Sequence, residues 1–431
     1  MEYLHPPPSA RSGTVAKRGF LSGRKNVLNL TLENQVLTCT KPVTNEVKWC
    51  VDLKECSIHR GDRKDEIAIL QGKWKYKFVV ENGLEYKSWY SDILYASQWK
   101  FDSYYRLEKE IGEGGFGKVF KCRNLRSSKM YACKVIQWHG ISESEKARVK
   151  SEIHMLTHLR GERFVRLYDV FEDAQNKYLV MELIKGHDLF TMLEQEKRLD
   201  EKVARRIMHQ IFQALVYMHR QGYMHRDLKP ENIMVGKTGN DYNVKIIDFG
   251  LADKIENGNN KKVLFKGTGT TGYMAPETII GENHNEAVDI WGCGCILFML
   301  LSGSMPFTRK GRNMSSISLR SVSAQYTFSE VDWQGVSKEA KSLVRMMLQV
   351  QPIKRPDARV ILEHKWFKKS PYSARQQPPA RLRLRGLVHA VLFLLSWKVE
   401  RTRKRQSIAS LRGYVSTSVT DIFARNSSNA E

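Results

Sequence analysis

Apolar and polar positions divide the chain into three textures. From about residue 17 to 82, short runs of β-favouring residues, "GFL", "VLNLTL", "QVLTCT", "VKWCVDL", "EIAIL" and "WKYKFVV", are separated by polar turns, the pattern of a small all-β unit. A helix is predicted from Glu85 to about Trp99, with Trp89, Ile93, Leu94 and Trp99 near one face, so that it covers an open end of the sheet. From about Tyr105 to Phe367 the texture becomes β-rich and then helix-rich. From Ser370 onward it is Pro/Arg-rich and ends in an apolar stretch, Leu387 to Trp397, between basic flanks. The first residues, 1–16, are read as a flexible leader, and no internal repeat suggests a solenoid.

The β-runs closed by one Trp-bearing helix, residues 17–99, resemble a pleckstrin-homology (PH) domain, with Gly19-Phe20-Leu21 as opening strand and Trp89 in the closing helix. The resemblance implies a β-barrel or sandwich with a C-terminal helix. It also implies a candidate phosphoinositide site at Lys17, Arg18, Arg24 and Lys25. A solvated basic face is the competing reading of those four residues.

Charge and cysteines narrow the setting. The net charge of +24 favours phosphates, anionic membrane surfaces or acidic partners. Much of it is local, with ten Lys/Arg and one acid, Glu400, between Arg375 and Arg412. No nucleic-acid partner is expected. Seven cysteines, an odd number, read as reduced thiols. Cys293 and Cys295, a C-x-C inside an apolar run, read as core. The start "MEYLHPPPSARSG" lacks a signal pattern, and no apolar run reaches the ~18 residues of a spanning helix. A cytoplasmic location is expected, with recruitment to a membrane surface as an option.

The densest chemistry lies between 105 and 367. "IGEGGFGKVF" places Gly112, Gly114 and Gly117 in G-x-G-x-x-G spacing, followed by Val119. Glycines there let backbone N–H groups approach a polyphosphate. Dinucleotide-binding turns share this spacing but continue into a helix. Here strand, turn and strand follow and carry Lys134, which is kinase order. Glu152 in "VKSEIHMLTHL" is placed to hold that ammonium. "YMHRDLKPENIMV" supplies His225, Arg226, Asp227, Lys229 and Asn232; "VKIIDFG" supplies Asp248, Phe249 and Gly250; "YMAPE" ends at Glu277, with Arg355 in "QPIKRPDA" as its expected ion partner.

Together these motifs are identified as those of a protein kinase, an α+β bilobal fold with a β-rich N-lobe and a helical C-lobe. The resemblance implies ATP and Mg²⁺ as cofactors. Residues 111–119 (Ile111, Gly112, Glu113, Gly114, Gly115, Phe116, Gly117, Lys118, Val119) and Lys134 would hold the phosphates. Met181 would guard the back of the adenine pocket, with Glu182 to Ile184 as hinge. Asn232 and Asp248 would bind metal, Asp227 would orient the incoming hydroxyl, and Lys229 would offset developing charge. "DLKPEN" resembles serine/threonine rather than tyrosine kinases. Asp188 and Glu231 match acids that receive a substrate arginine; a helix cap is the alternative for Asp188. A catalytically dead lipid- or calmodulin-binding scaffold is the competing reading of the whole chain.

"VDIWGCGCILFMLLSGSMPF" and "AKSLVRMMLQVQPIKRPDARVILEHKWF" resemble the calcium/calmodulin-dependent kinase group, and with the basic tail most the phosphorylase kinase catalytic (γ) subunit family. In the activation segment "GTTGY" has Thr271 where relatives have proline, while Thr270 keeps the position expected to contact the catalytic loop. Lys266 stands where a phosphorylatable residue or an acid is usual and would repel Arg226. Either Thr268 takes a phosphate, or the segment orders without one.

The tail, 370–431, is read as regulatory, with a helix over 381–405. Its 11-residue apolar stretch is about 16 Å long as a helix, too short to span. Three readings stay open: a docked core helix, an interfacial membrane anchor, or an autoinhibitory calmodulin target. For the last, Val388, Leu392 and Trp397 stand at 1-5-10 spacing. Ser407, behind "RKRQ", is a candidate autophosphorylation site or an unmodified serine of a disordered tail.

Overall fold

The computed structural model describes residues 8–18, 25–33, 35–80, 82–114, 117–239, 241–255, 270–282, 285–308 and 314–368. Two compact units emerge: 1–146 with 166–183, and 147–165 with 184–431.

The first unit begins with β1 (Arg11–Arg18), β2 (Lys25–Glu33), β3 (Val36–Thr40), β4 (Val47–Asp52), β5 (Ser57–Arg60), β6 (Glu66–Gln71) and β7 (Trp74–Val79), then α1 (Gly83–Gln98). The strands form one antiparallel seven-stranded sheet in the order β4-β3-β2-β1-β7-β6-β5. Leu30, Leu32, Leu37, Val51, Ile67, Ile69 and Phe78 fill its core, and Trp89 and Ile93 of α1 close it. Asn82 starts the helix two residues earlier than the sequence suggests, because its Oδ1 accepts the backbone N–H of Leu84 at 2.9 Å.

The stretch read as a flexible leader corrects that reading. Residues 11–16 lie in β1, which pairs with β2 along its whole length, from Arg11↔Leu32 to Arg18↔Lys25. Arg11 places its guanidinium 4.5 Å over the Trp89 ring and pairs with Asp92 at 2.6 Å. Gly13 lies close beneath that ring: a Cβ there would stand 3.2 Å from Trp89, a tight contact. The opening strand is thus Arg11–Arg18, and "GFL" lies outside the described residues. Lys17 and Arg18 end β1 and Lys25 opens β2, while Arg24 lies outside.

Next come α2 (Phe101–Tyr104), β8 (Tyr105–Gly114), β9 (Gly117–Asn124), β10 (Met130–Gln137), α3 (Glu143–His158), β11 (Leu167–Glu172) and β12 (Asn176–Met181). The strands form a second sheet in the order β11-β12-β10-β9-β8. Trp99, placed by sequence on the face of α1, instead belongs to this second core: it follows the helix and stacks on Phe171 at 4.6 Å. Phe101 stacks on Tyr178 at 4.5 Å. Gln35 of the front sheet donates from Nε2 to the carbonyls of Ala96 and Trp99, at 2.7 and 2.9 Å. Buried Asp169 accepts the Tyr105 hydroxyl at 2.6 Å. Burial, with that carboxylate beside it, pushes the Tyr105 phenol far up and keeps it a donor.

The second unit takes α3 from Ala147 and continues with β13 (His187–Asp188), α4 (Leu189–Glu196), α5 (Glu201–Arg220), β14 (Tyr223–Met224), β15 (Ile233–Thr238), β16 (Asp241–Ile246) and β17 (Asp253–Lys254). It ends with α6 (Pro276–Ile280), α7 (Ala287–Ser302), α8 (Met314–Val322), α9 (Lys338–Met347), α10 (Ala358–Leu362) and α11 (Lys365–Lys368). Every residue of α7 is buried, Cys293 and Cys295 included, so this helix is the axis of the unit. Among the described residues no helix is long and apolar enough to cross a membrane.

Candidate active site

In the first unit β8 and β9 form a hairpin in which Gly112 faces Val119, Glu113 faces Lys118 and Gly114 faces Gly117. Gly115 and Phe116 lie outside the described residues. Gly117 is a steric necessity, because a Cβ there would sit 2.1 Å from the Val135 carbonyl oxygen. Gly112 is different: a Cβ would meet nothing within 4 Å. Packing does not demand that glycine, whereas open backbone for a polyphosphate does. Ile111 is exposed beside it, and Lys118 reaches Glu110 at 3.0 Å.

Lys134, buried at mid-strand in β10, faces Val119 on one side and Leu179 on the other. Met181 ends β12, and the N–H of Glu182 donates to the Arg166 carbonyl at 2.8 Å, turning the chain toward Ile184. Glu152 is buried on α3, in the second unit.

The rest of the chemistry is concentrated in the second unit. β14 delivers His225 and Arg226, both buried. Arg226 adopts φ +70° and Asp248 +60°, the left-handed region that costs an ordinary residue about 1–3 kcal/mol. Asp289, in the first turn of α7, holds the first of these in place. Its Oδ2 accepts the His225 N–H at 2.9 Å and its Oδ1 the Arg226 N–H at 2.8 Å, while His219 Nε2 lies 2.9 Å from Oδ2. Burial works to raise the Asp289 carboxyl, but the His219 hydrogen bond and the His225 amide outweigh it and hold the group below its ordinary range.

Asp227 follows, with both oxygens engaged. Oδ1 accepts the backbone N–H of Thr270 at 3.0 Å and its hydroxyl at 2.9 Å; Oδ2 accepts Lys229 Nζ at 2.8 Å and Asn232 Nδ2 at 3.2 Å. Lys229 also donates to Thr270 Oγ1 at 2.6 Å. Burial alone would lower the Lys229 ammonium, but Asp227, Glu231 and Asp248 overcome it and raise it above its ordinary value. A carboxylate in this setting accepts a hydroxyl proton beside a fixed positive charge.

Asn232 uses Nδ2 on the Asp227 carbonyl at 2.8 Å as well, which leaves its amide oxygen for a hard cation. Asp248 accepts the Gly250 N–H at 3.2 Å. Two such oxygen donors suit Mg²⁺. Phe249 is fully buried, its ring 5.3 Å from His225 and 6.1 Å from Phe164.

The Glu277–Arg355 pair expected from sequence is bidentate, at 2.7 and 2.8 Å, with almost no exposure of either side chain. Arg355 also donates to the carbonyls of Ala287, Val350 and Gln349. Asp188 caps α4, its two oxygens accepting the N–H and hydroxyl of Thr191, both at 2.8 Å. Glu231 keeps Oε2 buried without a hydrogen-bond partner, and burial raises its carboxyl above the ordinary 4.5.

Sequence reading missed Asp289 and Asp253, the latter an ion partner of Arg226 at 3.1 Å. A lone acid opening the apolar run "VDIWGCGCILFMLL" is the signal for Asp289; Asp253 carries none. Thr268, Lys266, Ser407, Val388, Leu392 and Trp397 lie outside the described residues.

The protein kinase domain family matches residues 105–367. A probable myosin light chain kinase of Dictyostelium discoideum is 38% identical over 269 residues, 61% of this chain and 83% of that protein. Calcium-dependent protein kinase 4 of Plasmodium falciparum is 38% identical over 319 residues, 74% of this chain and 57% of its own. Calcium-dependent protein kinase 5 of the same organism is 35% identical over 279 residues, 64% and 48%. The chain thus spans only about half the length of these two Plasmodium proteins.

Proposed function

The chain belongs to the protein kinase family, whose cofactors are ATP and Mg²⁺, and we propose that it phosphorylates serine and threonine in basic protein substrates under control of its tail. The observation that carries this reading is the closed network of Asp227, Lys229 and Thr270. Lys229 comes from the "DLKPEN" pattern that resembles serine/threonine kinases.

ATP supplies the phosphoryl group, and Mg²⁺ would sit on Asp248 and Asn232 to screen its charge. Lys134 and the β8–β9 backbone hold the phosphates. Asp227 orients the substrate hydroxyl and takes its proton as the new P–O bond forms and the bond to ADP breaks. Lys229 offsets the charge that builds on the moving group. Among the two acids considered for a substrate arginine, Glu231 is favoured, because its Oε2 is unpartnered while Asp188 is engaged with Thr191.

Three further elements belong to this proposal. Placement in the calcium/calmodulin-dependent group, near the phosphorylase kinase catalytic subunit, is supported by the names of the relatives and by the sequence beyond Glu277. The front module is PH-like, supported by its seven strands and closing helix. Its basic positions at the β1–β2 connection suit an anionic lipid headgroup, and a cytoplasmic setting follows from reading the cysteines as thiols. The tail run 381–405 is a calmodulin-binding or autoinhibitory helix.

The test is incorporation of radiolabelled phosphate by the parent and by Asp227→Ala, each with and without Ca²⁺–calmodulin. The parent is expected to be active and the variant silent. Equal incorporation would sink the enzyme reading in favour of a binding scaffold, and no calmodulin effect would remove the proposed control.

A further inference from the structure

Arg226 immediately precedes the base, and its side chain is only 2% exposed. A buried guanidinium needs an anion, and taking one partner away leaves a charge that cannot stay where it is. Sequence alone offers no partner, since Lys266 would repel it. An ion partner among the described residues is Asp253 on β17, whose Oδ2 lies 3.1 Å from Nη1.

The placement is specific. β17 pairs with β14, setting Asp253 opposite Met224, two residues before Arg226. The Ile255 N–H, donating to the Gly222 carbonyl at 2.6 Å, extends that pairing. Arg226 is therefore held twice, by Asp289 at its backbone and Asp253 at its side chain, in a φ of +70° that it would otherwise leave. Two further charges bear on the guanidinium from packed elements: Asp289 of α7, which is attractive, and Arg148 of α3, which is repulsive. A carboxylate paired with this buried guanidinium occupies the electrostatic position of a bound phosphate.

We propose that Asp253 is a positioning residue that takes the place of a phosphate. It fixes Arg226, and through it the orientation of Asp227, so that turnover does not wait on phosphorylation of the chain. The inference rests on the kinase reading above and decides between the two options left by the activation segment.

The experiment uses the full chain, before and after treatment with a broad-specificity protein phosphatase. The treated parent is expected to keep its kcat within about twofold. Asp253→Asn should lower kcat about tenfold, with KM for ATP within about twofold. Asp253→Glu should restore at least about half of the parent rate. In an Arg226→Gln background Asp253→Asn should do nothing further, because the two act as one unit. A parent that loses about tenfold on dephosphorylation, or an Asp253→Asn variant within about twofold of the parent, overturns the proposal. Hydrogen exchange at the amides of residues 223–228 reads the pair without turnover. Faster exchange in Asp253→Asn supports the role, and unchanged exchange refutes it even if the chain transfers no phosphate and the kinase reading itself fails.

Discussion

Replacing Trp99 with alanine tests whether this residue, just after α1, belongs to the core of the five-stranded sheet. The indole is 4% exposed, stacks on Phe171 at 4.6 Å, and lies 5.5 and 5.9 Å from the rings of Tyr104 and Tyr95. A buried tryptophan removes about 200 Å² from water, which at about 25 cal/mol per Å² is about 5 kcal/mol. Alanine leaves a cavity that collapses only partly, and core aromatic-to-alanine changes cost about 3–5 kcal/mol, so about 4 kcal/mol is expected. At about 2–4 °C per kcal/mol the transition should fall by about 8–16 °C. The assay is thermal unfolding of the full chain, with Trp74→Ala as control: Trp74 is 62% exposed and should shift Tm by less than about 2 °C. Hydrogen exchange at Tyr178 to Met181 should quicken in Trp99→Ala, since Phe171 faces Tyr178 across the β11–β12 pair. A Tm within about 2 °C of the parent, or unchanged exchange in β12, would refute that placement.

Two further outcomes follow from buried charge. Glu231 has a carboxyl raised above 4.5 by burial, so its stabilising contribution is present below 4.5 and is lost as pH rises through the raised value. Glu231→Gln should therefore raise Tm at pH 7.5, the gain shrinking toward zero as pH falls to the ordinary value, while raising KM for peptides with arginine three residues before the target. A constant Tm difference across pH contradicts the first claim, and an unchanged KM the second. Arg355→Met leaves Glu277 buried and unpaired, at a cost of about 3–5 kcal/mol, and Arg355→Met with Glu277→Gln should recover part of it. A single variant within about 1 kcal/mol of the parent by urea unfolding removes that argument.

What sequence made legible is chemistry with a fixed local spacing. The glycine turn, Lys134, Asp227, Asn232 and Asp248 stand out as candidates because motifs of this kind keep short, fixed spacings. Even Glu277 and Arg355, far apart in the chain, could be paired from their motifs. Asp289 and Asp253 escaped because they act on other residues' geometry rather than on a ligand. Only the folded chain shows that a carboxylate in α7 holds the amides of His225 and Arg226, or that β17 lies beside β14.

The misreadings at the front have one physical cause. Short runs of β-favouring residues such as "GFL" point to strands, yet in β1 the buried apolar residues are Val15 and Ala16. The strand is fixed instead by its pairing with β2 and by Arg11 lying across Trp89. Likewise Lys100 to Tyr104 fell between two predicted domains, because a boundary drawn from motifs runs wherever the motifs stop. Phe101 and Tyr104 are buried there among Trp99, Tyr105, Phe171 and Tyr178, and Gln35 reaches over from the front sheet to cap the turn. A cluster of aromatics between two patterned regions is better read as core than as linker, since a linker would leave those rings in water at several kcal/mol. Cutting the chain at residue 104 to isolate the kinase would therefore expose Phe171 and Tyr178, and the isolated piece would report on a damaged sheet rather than on an enzyme freed of its front module.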